Sequence, residues 1–242
     1  MVDRSGQIRL GVIDGFELRA NGVVVDVAPA CQRLVAFLAL WDRPVTRSFV
    51  SGSLWSDSDT EHAAACLRSV LWRLPSCDLV RSGPTSLALS DGVMVDYRET
   101  VTRAQQLLAE PASADAPAWV LPHITVLAGE ILPDWYDEWV LLARERFRQL
   151  RLHALEALCT RLAAAGRFGE ALLAGLAAVE VEPLRESAHR RVIEVHVLEG
   201  NVGEALRQYR TYERLLRDEL SLDPSAELRA LVARLLRKAS GA

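Results

Sequence analysis

The chain has 242 residues, half of them hydrophobic and 25% charged, an ordinary globular balance with enough length for one large or two small cores. No stretch reaches the roughly 18 consecutive apolar residues of a membrane span, and the opening MVDRSGQIRL lacks the apolar region of a signal peptide. A cytoplasmic protein with no membrane partner is expected. The net charge of −4 argues against indiscriminate coating of nucleic acid, but not against a local basic face, because phosphate contact needs only a few placed cations.

The first segment reads as strands. Ile8, Leu10 and Val12 alternate up to Asp14-Gly15, Phe16 and Leu18 alternate up to Asn21-Gly22, and Val23, Val25 and Val27 follow. Asn-Gly between alternating apolar residues is a strong hairpin signal, since a type I′ turn needs positive φ at both central residues. Three short helices come next. The first runs from about Ala30 to Trp41, with Pro29 at its entry and Leu34, Val35, Leu38 and Trp41 on one face. The second starts at Thr46, a good N-cap, and runs to about Trp55, weakened by Gly52. The third runs from Thr60 to Leu74 and is stopped by Pro75. Leu79 to Leu89 then reads as a strand pair turning at Ser82-Gly83-Pro84-Thr85.

From about residue 96 the pattern becomes almost wholly helical. A helix is expected from Tyr97 to Leu108, a loop over Glu110 to Pro117, and a long helix from Asp134 to Ala165. Gly166-Arg167-Phe168-Gly169-Glu170-Ala171-Leu172 recurs 34 residues later as Gly200-Asn201-Val202-Gly203-Glu204-Ala205-Leu206, and 34 is the tetratricopeptide period. Glycine ends one helix, and the small Ala171 and Ala205 let the next pack closely. Pro183 and Pro224 start further helices, and Ala226 to Arg237 would cap the stack. The fold class expected is α+β, mainly α. A winged helix-turn-helix with a small antiparallel sheet over residues 1–95 precedes an all-α tetratricopeptide-like repeat domain over 96–242.

The third helix carries the most specific chemistry. At 100° per residue, Ala63, Ala64, Leu67, Val70, Leu71 and Leu74 face a core. The opposite side holds His62, Ala65, Ser69, Trp72 and Arg73, with Arg68 at its edge. The small Ala65 and Ser69 would let the helix sit deep in a major groove. Arg68 and Arg73 are spaced for guanine edges or phosphates, and Trp72 for a sugar or a thymine methyl. Third of three helices and followed by a hairpin, it stands where a recognition helix enters the groove and a wing touches the adjacent backbone. Thr46, Arg47 and Ser48 form a candidate phosphate clamp at a helix N-terminus, and Arg81 lies beside the wing turn.

Other chemistry is not legible. Cys31, Cys66, Cys77 and Cys159 form no C-x-x-C pair and read as small buried apolar residues. His189 and His196 share a helix without a third metal ligand nearby, and His62, His123 and His153 are scattered. Walker, G-x-S-x-G and H-E-x-x-H motifs are absent, so no enzyme, metal or cofactor is expected. Trp135, Tyr136 and Trp139 read as an aromatic cluster opening the long helix and packing between the domains, with a ligand site the alternative.

Taken in order, Gly15-Phe16-Glu17-Leu18, the run ACQRLVAFLAL from Ala30 to Leu40, Leu54-Trp55, LRSVLWRL from Leu67 to Leu74, the segment from Leu132 to Val140 and the two Gly-x-x-Gly-Glu-Ala-Leu hairpins resemble the SARP-type activators of actinobacteria (antibiotic regulatory proteins). These join an OmpR-like winged helix to a bacterial transcriptional activator domain built on tetratricopeptide repeats. The resemblance covers residues 8 to 236. It implies an activator that binds direct heptameric repeats near the promoter −35 region on double-stranded DNA, recruits RNA polymerase holoenzyme, and controls antibiotic biosynthesis genes, with a homodimer on DNA one arrangement. Arg47, Arg68, Ser69, Trp72 and Arg73 align with the family's DNA-facing positions. The loop from Trp55 to Thr60, with Ser56, Asp57 and Asp59, aligns with its contact to polymerase or sigma factor. Two departures stand out: Pro75, Ser76 and Cys77 replace further basic residues, and the wing tip from Ser82 to Ser86 carries no cation. They keep open a second reading, a repeat-type protein-interaction module without DNA binding.

Overall fold

The computed structural model describes residues 7–75, 77–110 and 120–240. The chain forms two compact units: Met1–Thr102 with Gly129–Phe147, and Arg103–Ala128 with Arg148–Ala242.

Unit 1 opens with strands β1 (Ile8–Gly11), β2 (Glu17–Ala20) and β3 (Val23–Val24). β1 and β2 pair antiparallel with Leu10 opposite Leu18, both inward and buried. Asn21 and Gly22 adopt φ of 53° and 79°, as the hairpin signal requires. The third strand is shorter than its alternation suggests. Val25 N still donates to Leu18 O at 2.8 Å, but beyond it the chain turns off the sheet edge toward a helix.

Helix α1 (Pro29–Ala39) has proline in its first turn and buries Leu34, Val35 and Phe37. Strand β4 (Val45–Thr46) leads into α2 (Arg47–Leu54), then α3 (Thr60–Trp72), β5 (Val80–Ser82), β6 (Ser86–Leu89) and β7 (Val93–Val95). One sheet has the order β3-β2-β1-β7 and a second has β4-β6-β5. The expected antiparallel sheet is present, extended by β7 running parallel to β1. Neither β4 nor β7 is visible in the residue pattern. Each is two or three residues long, and each pairs with a strand far along the chain, β7 with β1 and β4 with β6, which leaves no local turn signal.

Helix α4 (Asp96–Ala109) is pinned at its start. The Asp96 carboxylate accepts from Val12 N and Ile13 N, both at 3.0 Å, and from Tyr97 N at 2.6 Å. Burial pushes this carboxyl up, while the three backbone N–H groups pull it down. Arg98 then donates to Leu38 O and Ala39 O, satisfying carbonyls at the end of α1.

Unit 1 is discontinuous in the chain, because Gly129–Phe147 returns to it. Leu132 N donates to Val12 O at 2.9 Å and Asp14 N to Glu130 O at 2.7 Å, and Ile13 bridges Ile131. Arg144 donates to Ile131 O at 2.7 Å and to Trp135 O at 2.8 Å, closing the turn between them.

Unit 2 is helical. It contains α5 (Val120–Ala128), most of α6 (Glu138–Ala164), α7 (Phe168–Val181), α8 (Glu186–Leu198), α9 (Val202–Leu220) and α10 (Ala226–Ser240). The pattern did not reveal α5, whose first turn holds Pro122, a place where proline is tolerated. The expected loop lies outside the described residues from Pro111 onward. The long helix begins at Glu138 rather than Asp134, because the chain first turns over Leu132–Trp135, where Trp135 N donates to Leu132 O at 2.9 Å.

The 34-residue repeat is structural. Gly166 and Gly200 take φ of 73° and 87°. Arg167 N donates to Leu162 O at 2.9 Å and Asn201 N to His196 O at 2.8 Å; Gly166 N and Gly200 N reach Ala163 O and Val197 O. This is the same Schellman ending twice. Ala171 and Ala205 are fully buried behind it, which is what close approach of successive helices demands.

Candidate nucleic-acid interface

The candidate interface is built on α3. Asp59 caps it, its Oδ1 accepting from His62 N at 2.8 Å. Ala63, Leu67 and Val70 are buried against the unit 1 core, with Ala64, Leu71 and Leu74 half-buried. Cys31 of α1 packs there too, its thiol 3.7 Å from Val70 O and raised in pKa by burial. The other side is solvent-facing: Glu61, His62, Ala65, Arg68, Ser69, Trp72 and Arg73 are all exposed.

Trp72 is the extreme case, at 91% exposure. A side chain of that size left in water at the end of a helix whose other face is buried has no folding rationale, since burying it would stabilise by a few kcal/mol, about 25 cal/mol per Å². Arg68 makes no hydrogen bond or ion pair among the described residues and is free to reach outward. Arg73 is partly engaged: it ends the helix, and its guanidinium donates to Ser69 Oγ at 2.7 Å and Ser69 O at 3.3 Å. Ser69 and Arg73 therefore form one polar unit beside the small Ala65.

The flanking candidates are more occupied than their residue types suggest. Thr46 caps α2, its hydroxyl accepting from Phe49 N at 3.3 Å and lying 3.3 Å from Ser48 Oγ. Arg47 is turned onto the wing, donating to Gly83 O at 3.1 Å and Ser82 Oγ at 2.6 Å, while its backbone N–H donates to Thr85 O. It acts as a strut between the start of α2 and the β5–β6 tip. Arg81 pairs with exposed Asp91 at 2.9 Å. The structure thus brings Ala65, Arg68, Ser69, Trp72 and Arg73 onto one face, and ties Arg47 and Arg81 to partners of the chain's own. Asp91, which lowers the wing's positive charge, was missed in the sequence; its place ten residues after Arg81 gave no cue without the hairpin register.

In the α2–α3 loop, Ser56 and Asp57 are exposed and bonded to each other at 3.4 Å. Asp59 spends one carboxylate oxygen on the helix cap. The aromatic cluster also takes a different form from that expected. Trp135 and Tyr136 precede α6, and only Trp139 lies on it. Trp135 stacks on Phe16 at 6.3 Å, and Trp139 meets Phe37 edge-on at 5.3 Å, both within unit 1; Tyr136 is 80% exposed. His189 is buried and bonded rather than poised as a ligand, and among the described residues no group of three or more His, Cys, Asp or Glu could hold a metal. The four cysteines are free thiols. Among the described residues no helix is long and apolar enough to cross a membrane.

Comparison with known proteins agrees with this architecture. A model of the bacterial transcriptional activator domain matches residues 88–236. Regulatory protein AfsR of Streptomyces coelicolor is 28% identical over 250 residues, which covers 97% of this chain and 25% of that protein. Regulatory protein AfsR of Streptomyces griseus is 27% identical over 235 residues, covering 92% and 23%. The chain spans about a quarter of the length of these relatives. Among solved structures, Mycobacterium tuberculosis EmbR, determined in complex with a low-affinity phosphopeptide, matches 96% of this chain and 66% of its own, with a TM-score of 0.71 at 21% identity. That likeness is one of fold. With a winged helix followed by helical repeats, and the family match covering more than half of its length, the chain belongs to the bacterial transcriptional activator domain family, in the SARP-type arrangement.

Proposed function

We propose that the chain is a sequence-specific DNA-binding transcriptional activator of the cytoplasm, reading the major groove with α3. The observation that carries this reading is the solvent face of α3: a 91% exposed Trp72 beside an unpaired Arg68, on a helix whose other face is locked into the core. Ala65 and Ser69 keep the centre of that face low. The Ser69–Arg73 pair offers a hydroxyl and guanidinium already oriented. Thr46, Ser48 and Arg47 sit where α2 would meet phosphate, and Arg81 where the wing would.

The occupied flanks shape the energetics. Arg47 and Arg81 would have to leave Ser82 and Asp91 to neutralise phosphate, so binding should have a shallow salt dependence for a winged helix. Affinity then rests on Arg68 and on adjacent sites, which suits two copies on direct repeats. Residues 1–95 would serve as the DNA-binding part and 96–242 as the activator part. Ser56, Asp57 and Asp59 would face RNA polymerase or its sigma factor beside the −35 element, at promoters of antibiotic biosynthesis genes.

Selection of bound duplexes from a random pool, followed by footprinting, tests the proposal. Enrichment of a motif in tandem direct repeats, protected on successive turns of one face, is expected. Recovery of a random sequence set at physiological salt would remove the DNA-reading function and leave a protein-interaction module.

A further inference from the structure

Glu61 lies on the same stripe of α3 as Arg68 and Trp72. From Glu61 to Ala65, Arg68 and Trp72 the spacing is four, seven and eleven residues, a single line along the helix surface. All four residues are exposed. A carboxylate on a face that meets phosphates lowers affinity for every nucleic acid, so its position there needs a cause.

The usual causes are missing. Glu61 has no hydrogen bond or ion pair among the described residues. The helical glutamates Glu170, Glu186, Glu194 and Glu204 each pair with an arginine three or four positions away. Three and four positions from Glu61 stand Asp57, Ser58, Ala64 and Ala65, and none is a cation. Capping is done by Asp59, whose Oδ1 accepts from His62 N at 2.8 Å. The helix dipole favours a carboxylate anywhere in the first turn and does not require it on the outward stripe.

Base edges give the charge a use. An ionised carboxylate only accepts hydrogen bonds. In the major groove guanine presents two acceptors, thymine an acceptor and a methyl group, and adenine an amine beside the N7 acceptor; cytosine presents its N4 amine alone. Cytosine is therefore the base that meets a carboxylate with a donor and no opposing lone pair. Glu61 and Arg68 are seven residues apart, about 10.5 Å along the helix axis, which is roughly three base-pair steps of 3.4 Å.

We propose that Glu61 is a specificity-determining residue, its carboxylate accepting from the N4 amine of a cytosine about three base pairs from the guanine met by Arg68. Without that cytosine the carboxylate faces acceptors and phosphates unpaired, so it rejects other duplexes as well as favouring the right one. This rests on α3 being the reading helix, and names the operator chemistry that helix selects.

The test uses the full chain and the duplex motif selected from a random pool, with each position replaced in turn by the other three bases. Affinities are measured by fluorescence anisotropy at one salt concentration. In the parent, one cytosine should be preferred about tenfold, the value of one charge-assisted hydrogen bond. Glu61→Ala should lower that preference to less than about twofold and leave the preferences at all other positions in place. Glu61→Gln should move the preference at that position from cytosine to adenine, whose N6 and N7 a carboxamide matches. A purely structural role would lower the melting temperature and affinity on all duplexes alike, without either change. If Glu61→Ala keeps every base preference while Arg68→Ala weakens binding, the Glu61 assignment is overturned and the reading helix stands. A uniform gain on all duplexes would place the carboxylate at phosphate and also overturn it. If the parent selects no motif, the reading helix itself falls and takes this assignment with it.

Discussion

His189 makes the stability of the helical unit depend on pH. Its ring is 1% exposed, sandwiched against Tyr212 at 4.4 Å. The Pro183 carbonyl, 2.8 Å from Nε2, can only accept, so Nε2 carries the proton; Nδ1 then accepts from the Gln208 amide at 2.9 Å. A second proton has no acceptor to meet, and burial holds the imidazole below its ordinary range. In the unfolded chain the same group titrates near ~6.5. Below that pH the unfolded state takes up a proton that the folded state refuses, so stability falls as pH drops from about 6.5 toward the folded value. The loss cannot exceed about 1.4 kcal/mol per pH unit from this one group, the slope for one proton bound by the unfolded chain alone. His189→Gln removes the titration and leaves the other four histidines, which cancel in the difference. Urea unfolding of both proteins at the two pH values, with the Hε1 resonance of His189 followed by NMR, measures it. A titration midpoint at or above 6.5, or equal acid sensitivity in His189→Gln, would refute the reasoning.

Two further substitutions test other parts of the account. In Gly129→Ala the new methyl would lie 2.5 Å from Ile13 Cγ2 and 2.7 Å from an Asp14 carboxylate oxygen. A loss of about 1–3 kcal/mol is expected from such overpacking, read from the urea midpoint, and an unchanged midpoint would contradict the docking of Gly129–Phe147 onto the segment Val12–Asp14 that follows β1. Asp91→Ala frees Arg81 from its 2.9 Å ion pair. If the wing lies on phosphate, DNA affinity should rise at low salt and the slope of log affinity against log salt should steepen by about 0.9, one contact. An unaltered slope would take Arg81 out of the interface.

How far the residues alone could be read follows from the range of the signals. The face of α3 was legible because helical periodicity is local: Leu67 and Val70 against Arg68 and Trp72 need no partner to be sorted. Thr46 as a cap and the glycine endings at Gly166 and Gly200 are likewise written within a few residues. What escaped was non-local. β7 finds its place by pairing with β1 across the whole unit, and Gly129–Phe147 by hydrogen bonds from Leu132 and Asp14 to segments more than a hundred residues away. The same holds for the candidate interface. Arg47 and Arg81 carry the residue type that phosphate contact requires, but only the folded hairpin shows that Ser82 and Asp91 already hold them.

The central claim is that α3 reads bases, and Arg68 is where it is most exposed to test. Arg68 has no partner among the described residues to redistribute, so Arg68→Ala should leave the melting temperature unaltered. Its affinity is measured by fluorescence anisotropy on the selected duplex and on a scrambled duplex at the same salt. The account predicts a loss of about 1–3 kcal/mol, roughly 5- to 150-fold, on the selected duplex, with a much smaller loss on the scrambled one. An equal loss on both would make Arg68 a phosphate contact, and no loss on either would show that α3 is not the reading helix.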